Sequence, residues 1–358
     1  MRGADIHLTQ AMTDQARPYL LGPLLKSVSR SFYLTLRILP AGMRDPVGLA
    51  YLLARAADTI ADTSLVAPGR RLELLLSLRA RVNGTPDDTA LDTAMNDVAR
   101  QQTQPDEKVL LESLPAALAV LSSFGDADRR AVRDIVTTLT QGMEFDLCTF
   151  PDETSGQVVA LREFDEMDRY TYLVAGCVGE FWTKMTYAHM PGVLTADPAA
   201  MAARGIRFGK ALQMVNILRD CGKDLRIGRC YLPDALLGRY GLTVHDLLAP
   251  DASVRARGVL LDATRMTLAY FRDAIAYTLA IPAFSARLRL ACLWPIMIGM
   301  ETLALLVDNE HWLDPQRVSK VKRGDVYRIM ALSLPMVASD ALVKRWFERM
   351  LARIEARL

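Results

Sequence analysis

Gln213-Met-Val-Asn-Ile-Leu-Arg-Asp-Cys-Gly-Lys-Asp224 decides how this chain is read. The run is rich in helix formers, and at helical spacing Gln213, Asn216, Asp220 and Asp224 fall on one stripe. A second stretch, Tyr51-Leu-Leu-Ala-Arg-Ala-Ala-Asp-Thr-Ile-Ala-Asp62, repeats the pattern about 160 residues earlier, with Asp58 and Asp62 four apart behind Arg55. Like charges at i, i+4 repel by a few tenths of a kcal/mol per pair, so the fold gains nothing from either pair. Hard divalent cations, above all Mg²⁺ carrying a phosphate substrate, are bound by carboxylate oxygens arranged in this way. A lone DxxxD belongs more often to a solvated face. Two of them, set in apolar helices beside amides and arginines, read as facing walls of one polar site.

The rest of the composition suits an enzyme with a large core. Of 358 residues 51% are hydrophobic, and the formal charge of +2 comes from interspersed acids and bases, which argues against a nucleic-acid surface. Five cysteines (Cys148, Cys177, Cys221, Cys230, Cys292) show no CxxC spacing and read as reduced thiols of a cytosolic protein. Four scattered histidines offer no zinc-site spacing. The polar stretch Met1 to Gln15 has no apolar segment of a signal peptide. The most apolar stretch, Ala291 to Val307, is interrupted by Pro295 and Glu301 and reads as a buried core helix rather than a transmembrane anchor. The expected location is cytoplasmic, with peripheral membrane contact open to a protein that releases a lipophilic product.

Strand signals are nearly absent, and the periodicity predicts helices over 21–38, 45–63, 70–82, 108–123, 126–149, 163–189, 198–222, 251–280, 286–308 and 325–356. No linker or internal repeat divides them, so one all-α domain over 1–358 is the economical expectation. The helices near the motifs are apolar all round, as in a large bundle or around an apolar cavity. Met185, Met214, Met297 and Met300 read as core filling. An apolar tunnel closed at one end by carboxylates and Mg²⁺ would suit a polyprenyl diphosphate.

These residues also carry a resemblance. Ser29-Arg-Ser-Phe32, Tyr51 to Asp62, Tyr170-Thr-Tyr-Leu-Val-Ala-Gly-Cys-Val-Gly179, Gln213 to Asp224 and Gly228-Arg-Cys-Tyr-Leu-Pro233 resemble, in order and spacing, the squalene/phytoene synthases. The likeness covers about residues 20 to 330. It implies an isoprenoid-synthase-type helical bundle around a central cavity and head-to-head joining of two prenyl diphosphates. Within the family, squalene synthases join two farnesyl diphosphates to presqualene diphosphate and reduce it with NADPH, on the way to sterols or hopanoids. Phytoene and dehydrosqualene synthases end in elimination without a nicotinamide. Asp58-Thr59 and the segment Val318-Ser-Lys-Val-Lys-Arg-Gly324 resemble the squalene branch; Ile217-Leu-Arg-Asp220 and Gly228 to Pro233 resemble bacterial phytoene synthases. Three positions depart from the family pattern. Ala61 and Lys223 stand where acidic residues are common, which puts the ligand count in doubt, and Thr171 replaces a frequent cysteine.

The resemblance implies roles. Asp58, Asp62, Asp220 and Asp224, with Asn216 as a neutral oxygen ligand, hold Mg²⁺. Arg30, Arg55 and Arg219, with Tyr51 and Gln213, bind diphosphate. Tyr170 is the base that closes the cyclopropane, and Lys320, Lys322 and Arg323 hold the NADPH phosphate. Each has a plainer alternative: an ion pair of Arg55 or Arg219 with its neighbouring aspartate, a core tyrosine, a solvated cation cluster, and helix packing for Gly176 and Gly179. Chain length of the substrate, oligomeric state and the number of Mg²⁺ ions stay open, and a non-catalytic assembly factor is the alternative of another class.

Overall fold

A computed structural model of the chain describes residues 15–29, 32–63, 66–85, 98–100, 102 and 104–358. They form two compact units, Met1–Leu147 and Cys148–Leu358. Apart from one pair of two-residue strands, the regular structure among the described residues is helical.

After the helical residues 15–19 come short pieces, Leu20–Leu24 in π geometry, Leu25–Ser29 and Phe32–Arg37, where one helix over 21–38 was expected. Pro23 lies inside the π turn, and a residue without an N–H cannot sustain a regular ladder there. Longer helices among the described residues follow: α1 (Ala41–Asp62), α2 (Pro68–Val82), α3 (Pro105–Glu112), α4 (Leu114–Ser123) and α5 (Asp126–Thr149). The expected helix 108–123 is two, because Pro115 near the start of α4 has no amide to extend α3 past Ser113. In α1 the apolar positions Leu49, Leu52, Leu53, Ala56, Ala57 and Ile60 are all buried. That leaves Tyr51, Arg55, Asp58 and Asp62 as a second stripe on the less buried side, beside α3 and α4, which pack on α1.

The second unit contains β1 (Val159–Ala160), α6 (Phe164–Thr171), a π turn at Tyr172–Gly176, α7 (Cys177–His189), α8 (Pro198–Arg226), β2 (Arg229–Cys230), α9 (Arg257–Ala280), α10 (Ala286–Val307), α11 (Arg323–Met336) and α12 (Asp340–Glu355). The π turn interrupts the predicted helix 163–189, and Val337 to Ser339 break the predicted helix 325–356, with the Ser339 hydroxyl accepting from the Leu342 amide as the cap of α12. The 29-residue α8 packs against α7, α9 and α10, and its N-cap Asp197 accepts from the Ala200 amide at 2.8 Å. It runs on to Arg226, past the expected end at 222, so Asp224 is helical and shares the Asp220 face. Gly228, at φ +86°, turns the chain out of α8 into β2, which pairs in parallel with β1.

Small residues set the packing of this unit. A Cβ at Gly179 would lie 1.8 Å from the Gly205 carbonyl oxygen, and one at Gly209 would lie 2.1 Å from that of Ala175. The glycines of the Tyr170 motif therefore serve helix packing. Met185, Met214, Met297 and Met300 are all buried. Helix α10 is long and apolar enough to cross a membrane, but most of it is buried inside the protein, and Pro295 does not break it. Cys177, Cys221, Cys230 and Cys292 are buried free thiols, and Cys148 is an exposed one.

Candidate active site

The stripe of α1 is wired together by Arg55. One terminal nitrogen of its guanidinium donates to the Asp58 carboxylate, and the other donates to Glu107 Oε1 at 2.9 Å. Glu107 stands in the first turn of α3, where a carboxylate also meets the positive end of the helix dipole. The Arg55 Nε is buried and has no hydrogen-bond partner among the described residues. The Tyr51 hydroxyl reaches the Val28 carbonyl at 3.4 Å. Asp58 is pushed up to about 6, chiefly by loss of water around it and then by the Asp62 charge, with Arg55 pulling the other way and Glu107 adding to the rise. Asp62 ends the helix, exposed. Arg30 lies outside the described residues.

The stripe of α8 is built in the same manner. Arg219 donates to its neighbour Asp220 through Nε at 3.1 Å and 3.2 Å, and also through a terminal nitrogen. The Asn216 amide donates to Gln213 Oε1 at 3.2 Å. Asp224 is pushed up to about 7 by burial first and by Asp220 second, while Arg229, Arg219 and Lys223 oppose the rise. Arg229 donates to Glu153 Oε1 at 3.0 Å. Tyr170, at the end of α6, is buried and stacks on Tyr231 with ring centroids 4.5 Å apart, and Phe150 meets Tyr231 edge-on at 5.0 Å.

The structure thus joins Tyr51, Arg55, Asp58 and Asp62 on one helix and Gln213, Asn216, Arg219, Asp220 and Asp224 on another. Both arginines adopt the ion pairs that were the plainer alternative. Lys320, Lys322 and Arg323 are exposed in the approach to α11 and at its first residue, and their side chains make no hydrogen bond or ion pair among the described residues. No group of three or more His, Cys, Asp and Glu side chains converges among the described residues. The oxygen donors on each helix, taken by itself, suit a hard cation: Asp58 and Asp62 on α1, and Asp220, Asp224 and the Asn216 amide oxygen on α8.

Sequence reasoning missed Glu107, Glu153, Arg229 and Tyr231. Arg229 and Tyr231 lay inside the quoted Gly228 to Pro233 stretch, and their place just after the aspartates was the available signal. Glu107 and Glu153 sit far from any motif, and nothing in the sequence ties them to an arginine.

The comparisons agree with this geometry. The family model described as squalene/phytoene synthase matches residues 25–324. Squalene synthase of Solanum lycopersicum is 26% identical over 306 residues, 84% of this chain and 67% of that protein. Squalene synthase of Bos taurus is 26% identical over 337 residues, 92% of this chain and 73% of that protein. A bifunctional lycopene cyclase/phytoene synthase of Phaeosphaeria nodorum is 28% identical over 68% of this chain and 38% of its own length. Among solved structures, ligand-bound TcSQS superposes with a TM-score of 0.74 at 20% identity, covering 98% of this chain and 92% of that one. Squalene synthase HpnC from Alicyclobacillus acidocaldarius gives 0.54 at 17% identity, over 81% and 92%. The structural likenesses show the shared helical fold, and the match over residues 25–324 shows more: the chain belongs to the squalene/phytoene synthase family, prenyltransferase-type enzymes.

Proposed function

We propose that the chain is a squalene synthase, which joins two farnesyl diphosphates to presqualene diphosphate and converts this with NADPH to squalene. The observation that carries the reading is the repeated unit of paired helical carboxylates beside an arginine, on α1 and on α8, in a chain of this family.

Asp58, Asp62, Asp220, Asp224 and the Asn216 amide oxygen hold Mg²⁺, which when bound supplies the positive charge that helps a diphosphate leave an allylic carbon. Arg55 and Arg219 exchange their aspartates for phosphate oxygens, which the planar guanidinium binds two at a time. The orphaned Arg55 Nε supports an anionic ligand at that position. Arg30, Tyr51 and Gln213 complete the diphosphate contacts. The farnesyl cation attacks the double bond of the second substrate, and Tyr170 accepts the proton lost as the cyclopropane closes. Apolar walls keep water from the cation. NADPH, when bound, would supply the hydride that the rearranging skeleton takes up as the remaining diphosphate leaves. Lys320, Lys322 and Arg323 hold the NADPH phosphate.

The test incubates the protein with Mg²⁺ and farnesyl diphosphate, with and without NADPH, and identifies products by mass spectrometry. Squalene only with NADPH, and presqualene diphosphate without it, is the expected outcome. The second reading, a dehydrosqualene or phytoene synthase, draws on the phytoene-synthase likeness and leads to an NADPH-independent hydrocarbon. No Mg²⁺-dependent diphosphate release from farnesyl or geranylgeranyl diphosphate would leave the non-catalytic alternative.

A further inference from the structure

Lys210 stands in α8 between Gly209 and Ala211, beside the buried Phe208, and is itself only 8% exposed. Its ammonium donates to Asp168 Oδ1 on α6 at 2.5 Å. The same oxygen accepts from the Tyr270 hydroxyl of α9 at 3.3 Å, so one carboxylate joins α6, α8 and α9. Arg207, three residues before Lys210, ties α8 to α9 again through Asp273 Oδ1 at 3.3 Å.

Stability alone would not select this arrangement. An ammonium taken out of water loses hydration that one carboxylate seldom makes good, and an apolar side chain of similar length would pack as well or better. The best-attested use of a buried ion pair is to fix the register of the elements it joins. Here these are α6, which carries Tyr170, and α8, which carries Gln213, Asn216, Asp220 and Asp224. Lys210 lies one turn before Gln213, on the same side of the helix as Gln213 and Asp224.

Helix α6 has eight residues and is gripped from two sides. Asp168 and Tyr170 are two apart, about 200° round a helix, so their side chains leave it in nearly opposite directions. Tyr170 stacks on Tyr231, while Asp168 meets Lys210 and Tyr270. A ring stack by itself lets a short helix roll about the contact, and the ion pair on the far side removes that freedom. Gly209, next to Lys210, admits the Ala175 carbonyl, so the π turn that follows α6 is seated on the same turn of α8.

We propose that Lys210 and Asp168 are positioning residues for Tyr170, their ion pair holding α6 at the rotation that sets the Tyr170 hydroxyl for proton removal. The inference rests on the reaction proposed above, with Tyr170 as its base. In that reaction the first diphosphate leaves with its electron pair, and the allylic cation takes the electrons of the second substrate's double bond. A C–H proton then passes to the Tyr170 oxygen as its electrons close the cyclopropane. Ionisation is assigned to the aspartates and proton removal to Tyr170. A misplaced base therefore leaves ionisation running, and water captures the waiting cation as an alcohol, its own proton going to solvent.

The experiment gives the full chain Mg²⁺ and farnesyl diphosphate and measures initial rates of diphosphate release, head-to-head product and alcohol. Lys210→Met, Asp168→Asn and the double variant should each raise the ratio of alcohol to head-to-head product about tenfold, with KM for farnesyl diphosphate within about twofold of wild type. The double variant should lose no more than either single one, since all three break one contact. Tyr170→Phe, made in parallel, should show the same shift more strongly. Lys210→Met leaves Asp168 half exposed and still bonded to Tyr270, so it strands no buried charge and carries the test alone if Asp168→Asn fails to fold. A wild-type alcohol ratio in Lys210→Met, even with a lower melting temperature, makes the pair structural only and overturns the proposal. So does an unchanged ratio in Tyr170→Phe. A wild type that makes no head-to-head product from farnesyl or geranylgeranyl diphosphate overturns the reaction itself, and this inference with it.

Discussion

Glu107 accepts a hydrogen bond from Arg55 at 2.9 Å, so the arginine that holds Asp58 is itself held from a different helix. Its two terminal nitrogens are divided between two carboxylates, and only one of these belongs to the DxxxD pair. In the proposed reaction Glu107 would act as a positioning residue for Arg55. It keeps the guanidinium over the α1 stripe and compensates its charge when Asp58 turns to another partner.

Glu107→Gln is expected to keep the fold and lower turnover about tenfold or more, since a charge-assisted hydrogen bond contributes roughly 1.5–3 kcal/mol. Steady-state kinetics with a thermal melt checks this. Unchanged kcat and KM would show that Arg55 needs no second anchor.

Asp58→Asn and Asp220→Asn should each abolish turnover while leaving helical content unchanged, because each removes a ligand charge and also a like-charge repulsion at i, i+4. Circular dichroism and diphosphate release measure the two halves of that statement. Near-normal release from either variant would sink the metal assignment.

Both raised carboxyls make the metal-free protein sensitive to pH. Asp58 at about 6 and Asp224 at about 7 bind protons more tightly in the folded chain than at their ordinary value near 3.8. Folded protein therefore holds more protons than unfolded protein between about pH 4 and 7. The stability this contributes is fully present below about pH 4 and is lost as pH rises through 6 and 7. Melts in EDTA should show that decline, and the double variant Asp58→Asn, Asp224→Asn should show a flatter one. An identical slope in both proteins would refute the assignment of these two groups.

The all-α class and most helix spans were legible because apolar residues recur at 3.6-residue spacing over long stretches. Both polar stripes were legible for the same reason, since residues four apart on a helix must share a face. What was not legible involves partners distant in sequence. The ion pair of Glu107 with Arg55 spans 52 residues and that of Glu153 with Arg229 spans 76. Breaks within helical runs were also hidden. The π turn at Tyr172–Gly176 contains no proline, and its neighbourhood is set by α8, where Gly209 lets the Ala175 carbonyl approach.

That close approach leads to a stability prediction. Gly179→Ala places a Cβ 1.8 Å from a backbone oxygen of α8, which a rotamer change cannot relieve. The expected loss is about 3 kcal/mol or more, at or beyond the upper range for overpacking, with aggregation on expression. Gly69→Ala in α2, where nothing lies within 4 Å, serves as the control and should stay within about 1 kcal/mol of wild type. Denaturant titration of both decides it, and a Gly179→Ala protein as stable as the control would mean that the two helices can move apart without cost.

The last prediction separates the two half-reactions. Lys320, Lys322 and Arg323 are exposed and uncommitted among the described residues, so reversing their charge removes no internal contact. If they hold the NADPH phosphate, the triple variant Lys320→Glu, Lys322→Glu, Arg323→Glu raises the KM for NADPH by about tenfold or more, because each lost charge-assisted contact costs on the order of 1 kcal/mol. Presqualene diphosphate should then accumulate at NADPH concentrations that saturate the wild type, and excess NADPH should partly restore squalene. A fall in presqualene diphosphate formation itself, at unchanged NADPH dependence, would instead place these cations beside the first substrate. An unaltered product ratio would return the cluster to the solvated surface that its exposure alone would suggest.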